Sequence, residues 1–254
     1  MRRRRWRWVA VGLVLAVGLY FVADVVLLQY LESRGAAEMA RTLSAEDATV
    51  ELGGAPFIPS FIRGELSDVS VRIRGATAPG GLRIQAIETR FDDVSFEPGK
   101  LYALARSNFA TRSEVTGRQP VAQIVLVEDD VEEFVRRQIP LVGDVHVKAS
   151  GVEVSFLKDP DLIGEPNPDE KALTKPARFL PVIRDREFLL DLTSVSQLDP
   201  AFRADAARIE ELVDLRPGPD VPEGLSTNVS MRNGAIVIDA QGSEVKLTVG
   251  EGNE

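Results

Sequence analysis

Hydrophobic positions change their period several times along the chain, and each change predicts a different element. Residues 8–23 are uninterruptedly apolar, and after Asp24 a second apolar stretch reaches Leu31. A hydrocarbon core of ~30 Å takes about 20 helical residues. Residues 6–23 satisfy that, with Trp6 and Trp8 as aromatic anchors at one interface. Arg2, Arg3, Arg4, Arg5 and Arg7 stand directly before the run, and such a cluster stays on the cytoplasmic side. The pattern predicts a basic tail and transmembrane anchor over residues 1–24, in a single-pass plasma-membrane protein whose C-terminal part faces outward. A cleaved signal peptide is the alternative. It fits less well, because a cut after Ala23 would place Phe21 where a small residue belongs. Both readings export everything that follows.

Beyond Asp24, apolar Val25, Leu28, Leu31, Met39 and Leu43 recur at helical spacing, with Glu32, Arg34, Glu38 and Arg41 between them. An amphipathic helix is therefore expected to lead out of the membrane over residues 25–47, weakened locally by Gly35. From residue 48 the period becomes two, and the extracytoplasmic domain is expected to fill residues 48–254. Val50 and Leu52, then Leu66, Val69, Val71 and Ile73, then Leu82, Ile84, Val94 and Phe96 alternate with polar residues, as half-buried strands do. Strands are also expected at residues 121–127, 145–147, 152–156 and 186–192. In the last third, Asn233-Gly234 predicts a hairpin turn, and Val245, Leu247 and Val249 close the domain. Helices are expected at 101–109, at 131–139 behind an acidic start, and at 200–213 with Pro200 in its first turn. Residues 159–176 read as an exposed loop and 216–222 as a rigid linker. The sum is an α+β fold with many antiparallel strands and no βαβ rhythm.

Composition narrows the chemistry. The chain is formally −9, and without its five N-terminal arginines it retains 25 basic against 39 acidic residues, or −14. That surface argues against nucleic acid and against broad adhesion to anionic headgroups. There are no cysteines and one histidine, so thiol nucleophiles and thiolate metal sites are excluded. No cofactor is implied. Glu128, Asp129, Asp130, Glu132 and Glu133 lack the ligand spacing of a calcium loop and read as a solvated helix start. His146 reads as a surface position in a strand, and no Gly-x-Ser-x-Gly elbow exists. Asn228-Val229-Ser230 matches a glycosylation triplet inside an expected strand.

The sharpest candidates are Phe57, Ile58, Phe61 and Ile62, in a segment punctuated by Gly53, Gly54, Pro56, Pro59 and Gly64. This is the composition of an exposed loop carrying too many large apolar groups. They are expected either to line the mouth of a lipid groove or dip into a bilayer, or to be ordinary core.

Two segments resemble the LmeA-like phospholipid-binding family of actinobacterial cell envelopes. The first has Gly54-Ala55-Pro56-Phe57-Ile58 and Gly64, followed by alternating strands to Val94; Pro59 departs from the pattern. The second has Gly224-Leu225, Asn233-Gly234 and Gly242. The resemblance implies a tubular lipid-binding type of fold, in which a strongly curved antiparallel sheet wraps a long helix and leaves an apolar groove. It also implies a non-enzymatic protein binding phospholipid outside the plasma membrane, with a role in envelope glycolipid assembly. Acyl chains gain ~0.8 kcal/mol per buried CH₂, so such binding needs no catalytic residue. A scaffold recruiting envelope biosynthesis enzymes is the alternative, and a carboxylate-dependent hydrolase ranks behind both.

Overall fold

The computed structural model describes residues 2–54, 56–78, 80–99, 113–138, 142–156, 176–184, 187–192 and 224–249, without the side chains of residues 2–17 and of 113, 138, 156, 184, 187, 191, 192 and 247–249. The helices expected at 101–109 and 200–213, the linker at 216–222 and all but Pro176 of the 159–176 loop lie outside the described residues.

Helix α1 (Arg2–Thr42) joins the expected anchor and the expected outward helix into one element of 41 residues. At ~1.5 Å per residue it is about 60 Å long. Among the described residues no helix is long and apolar enough to cross a membrane; those residues leave out the side chains before Gly18. The C-terminal half of α1 packs along β1 (Asp47–Leu52), the edge strand of the larger sheet, and touches α2 (Phe57–Arg63) and β2 (Glu65–Thr77). Among the described residues the sheet does not wrap around α1, and no other long helix is described for it to wrap. Leu27, Leu28 and Leu31 supply one docking stripe, so α1 is held on one side only.

The larger sheet is antiparallel, in the order β1-β2-β3-β5-β11-β10, with β4 and β12 branching from it. Its remaining strands are β3 (Arg83–Phe96), β4 (Ser113–Arg118), β5 (Val121–Val127), β10 (Leu225–Arg232), β11 (Ala235–Gly242) and β12 (Glu244–Val249). β3 pairs with β5 through residues 86–90 and with β4 through residues 93–96, in one unbroken register. β11 and β12 continue one register along β5 and β4 in the same way. The two interruptions are stitched together: the Gln119 amide donates to Ser243 O at 2.9 Å, and the Gly242 amide to Pro120 O at 3.0 Å. Gln119 (φ 47°) and, two strands away, Asp68 (φ 58°) adopt left-handed backbone on this line. The sheet thus bends coherently across its strands, which curves it without closing a barrel.

A second antiparallel sheet runs β6 (Val142–Lys148), β7 (Gly151–Phe156), β8 (Ala177–Arg184), β9 (Glu187–Leu192) in sequence order. Between the two sheets and α3 (Glu128–Gln138) lies the main core, which includes Ile73, Ile84, Leu126, Phe134, Val145, Val152, Phe179 and Ile236. Full burial of such side chains contributes about 1.5–3 kcal/mol each. Phe57, Leu66, Val69, Val94 and Phe96 form a second core at the bend, covered by α1 and α2. The architecture is α+β and mostly antiparallel, as the alternation predicts.

Candidate functional site

The segment read as an exposed loop is helical. Two prolines obscure this in the sequence, yet both sit where a helix tolerates them. Pro56 is the N-cap, and Pro59 falls in the first turn of α2, where the missing N–H would have had no partner within the helix. The two free amides that remain at that end are taken by a distant residue. Asp24 of α1 accepts from Phe57 N at 2.9 Å and from Ile58 N at 2.6 Å. Its carboxylate is 6% exposed, and anionic groups are favoured at this end of a helix dipole. Gly64 closes the other end in left-handed backbone at φ 77°, donating to Phe61 O at 3.0 Å. The apparent flaw in the apolar N-terminal run is therefore the cap of another helix.

This arrangement separates the four candidates. Phe57 is fully enclosed, its ring centroid 5.6 Å from Phe61, which in turn lies 5.4 Å from Phe96. Phe61 and Ile58 are half-buried, and Ile62 is 69% exposed. Phe57 and Phe61 hold α2 down, and Ile62 faces out.

A second apolar feature emerges only from strand register. Residues paired across the larger sheet share a face. One row reads Ala48, Ile73, Ile87, Ile124, Ile238, Val229. The next, two residues along each strand, reads Val50, Val71, Thr89, Ala122, Ala240, Thr227. Beyond it Leu52, Val69 and Phe91 continue the face on β1 to β3. The middle row, called the furrow below, has small and medium side chains between bulkier ones on the neighbouring rows of the same face. All six of its residues are half-buried. The main core reaches it only at Val71, and the core at the bend does not reach it. Five strand spacings of ~4.8 Å make it about 24 Å long. At its β1 end α1 passes close over Val50, whose methyls lie 3.8–3.9 Å from where a Cβ on Gly35 would stand. The opposite face is polar, with Arg72 paired to Glu88 at 3.0 Å and Gln123 to Asp239 at 2.8 Å; Asn228 lies exposed in that row.

Several of the charged candidates have structural employment. Glu128 accepts from Val147 N at 2.6 Å and lies 3.5 Å from His146 Nδ1, tying α3 to β6. Glu132 pairs with Arg136 at 2.6 Å, and Glu133 lies 3.9 Å from Arg137. Asp130 has its carboxyl pushed above the usual range by burial, with Arg83 opposing. Its Oδ2 is buried without a hydrogen-bond partner. Residues Asp129, Glu132, Glu133, Arg136 and Arg137 line a surface cleft of about 350 Å³. That cleft is charged throughout and belongs to α3 rather than to the furrow. Among the described residues no group of acidic or histidine side chains is arranged to hold a metal ion.

A family model described as LmeA-like phospholipid-binding matches residues 22–241. Comparison with curated proteins and with solved structures gave no match.

Proposed function

The chain belongs to the LmeA-like phospholipid-binding family, and from that premise we propose that it is a non-enzymatic carrier whose furrow holds a phospholipid acyl chain. In this reading the N-terminal helix anchors the protein in the plasma membrane. The domain works on the extracytoplasmic side, presenting lipid to the enzymes of envelope glycolipid assembly. The observation that carries the reading is the half-buried row Val50, Val71, Thr89, Ala122, Ala240 and Thr227. One leaflet accounts for half of a ~30 Å hydrocarbon core, so a furrow of about 24 Å accommodates an extended acyl chain. The row offers a chain methylene contacts and weak polar groups, with no charge to desolvate. Of the α3 carboxylates, the other chemistry-bearing cluster, Glu128, Glu132 and Glu133 are engaged in helix-start and ion-pair contacts.

The test is native mass spectrometry of the full chain in detergent micelles with added phosphatidylglycerol, comparing wild type with Ala122→Phe and Ala240→Phe. A phenyl ring in mid-furrow displaces about four methylenes at ~0.8 kcal/mol each, so affinity should fall about a hundredfold. Thr89→Val, which keeps shape and removes a hydroxyl, should bind at least as well as wild type. Equal lipid occupancy of wild type and both phenylalanine variants would overturn the furrow as the site.

A further inference from the structure

Helix α1 is apolar on all sides just beyond residue 18, and the domain uses only part of that surface. Asp24, Leu27, Leu28, Leu31 and Glu32 recur at helical spacing and face the domain: the leucines enter the core at the bend, Asp24 caps α2, and Glu32 Oε1 accepts from Leu52 N at 2.9 Å. Both acidic residues between positions 18 and 33 are thereby turned inward. The outward side carries Val22, Val25, Val26 and Tyr30, which are 51–61% exposed, and Tyr30 Oη accepts from Arg34 at 2.9 Å. Ile62 on α2 adds a further exposed apolar side chain, four residues after Ile58, whose amide rests on Asp24.

We propose that the outward face of α1 from Val22 to Tyr30, together with Ile62, is a bilayer-seating surface that sinks this corner of the domain into the outer headgroup region. The inference rests on the reading above that residues 6–23 anchor the protein in the membrane. Its occupant is a lipid bilayer, for two reasons. The face continues, without a charged break on its own side, from the apolar run behind the arginine cluster. Seven residues from Ala23 to Tyr30 rise about 10 Å, enough to cross a headgroup layer of about 5–8 Å per side. A tyrosine bonded to an arginine at the top of that interval suits an interface where aromatic rings and basic groups meet headgroups. α2, pinned at Asp24, is held at the same level.

The absence of cysteine makes single-site labelling direct. Val26→Cys, Ile62→Cys and, on the polar sheet face, Arg72→Cys would each carry an environment-sensitive fluorophore, with the full chain in phosphatidylcholine–phosphatidylglycerol vesicles. At positions 26 and 62, nitroxide lipids labelled near the headgroup should quench several-fold more strongly than aqueous iodide does, and the order should reverse at position 72. Iodide access at positions 26 and 62 equal to that at 72 overturns the proposal. So does shielding that persists in detergent and tracks a crosslinked dimer, because a second copy then covers the face. If seating fails while Ala122→Phe still abolishes lipid capture, only the seating surface is wrong. If wild type captures no lipid either, the carrier reading falls with it.

Discussion

Replacing Asp24 with alanine removes the acceptor for two backbone amides at the start of α2. The carboxylate is nearly inaccessible and the bonds are 2.9 and 2.6 Å long, so water cannot replace it freely. A hydrogen bond to a charged group contributes about 1.5–3 kcal/mol, and losing an N-cap alone costs ~1 kcal/mol. Two bonds to one carboxylate are not additive, which places the loss at about 3 kcal/mol. The cost should fall locally, since α2 has seven residues and is otherwise held by Phe57 and Phe61. Amide exchange at Phe57 and Ile58 should therefore accelerate about a hundredfold, with exchange in β6 and β7 unchanged. Asp24→Asn keeps one acceptor oxygen but turns an amide donor toward an N–H, so it should land between. Mass-spectrometric hydrogen exchange on the peptide spanning α2, with the full chain in micelles, reads the effect. Exchange of α2 within a few-fold of wild type in Asp24→Ala would refute the latch.

Three further outcomes are expected. Phe57→Ala should cost about 3–5 kcal/mol in unfolding free energy, while Ile62→Ala, exposed on the same helix, should stay within ~0.5 kcal/mol; thermal melts of both decide it. Gly64→Ala should be more damaging than a simple left-handed penalty of ~1–3 kcal/mol, because a Cβ there overlaps the Phe96 carbonyl oxygen, and expression and melting temperature should fall together. Glu153 has its carboxyl held below the usual range chiefly by the hydrogen bond from Lys148, 2.6 Å away, with Arg178 at 3.3 Å assisting against some burial. A depressed pKa stabilises the fold above the unfolded carboxylate value and ceases to do so as pH falls through the folded one. Glu153→Gln should therefore be less stable than wild type at neutral pH, and the gap should shrink progressively as pH falls below the ordinary glutamate value of about 4.3.

Local pattern carried most of the strands and α3, and non-local contacts carried what the sequence did not disclose. Val145 and Val147, like Val152 and Val154, alternate cleanly and stand buried at 0–2% exposure. Val131, Phe134 and Val135 mark the buried side of α3, and Asn233-Gly234 turns as read, with Gly234 at φ 81°. α2 was illegible because its cap lies 33 residues away, leaving two prolines as the only local signal. β8 was missed for a related reason. Its Pro181 looks like a strand breaker, but β7 pairs with β8 only through residues 177–179, so the proline sits past the end of that ladder and removes no bond there. The furrow was invisible because Ala122, Ala240, Thr89 and Thr227 are unremarkable singly and become a row only through the registers of several strand pairs.

Geometry along α1 also bears on whether the protein carries lipid or merely senses the leaflet. Asp24 and Glu32 fix the domain to α1 at two points, at α2 and at the end of β1, so the domain cannot swivel freely about that helix. Gly35, which crosses the furrow at Val50, lies eleven residues beyond Asp24, a rise of about 16 Å. With residues 6–23 in the bilayer and α1 upright, that end of the furrow stands above a headgroup layer of about 5–8 Å. An acyl chain reaching it has left the hydrocarbon altogether. Its methylenes then exchange lipid neighbours for Val50, Val71 and Ala122 instead of water, and the loss otherwise incurred is ~0.8 kcal/mol per CH₂. On the proposed reading, an apolar row at that height suits a carrier better than a sensor of the leaflet.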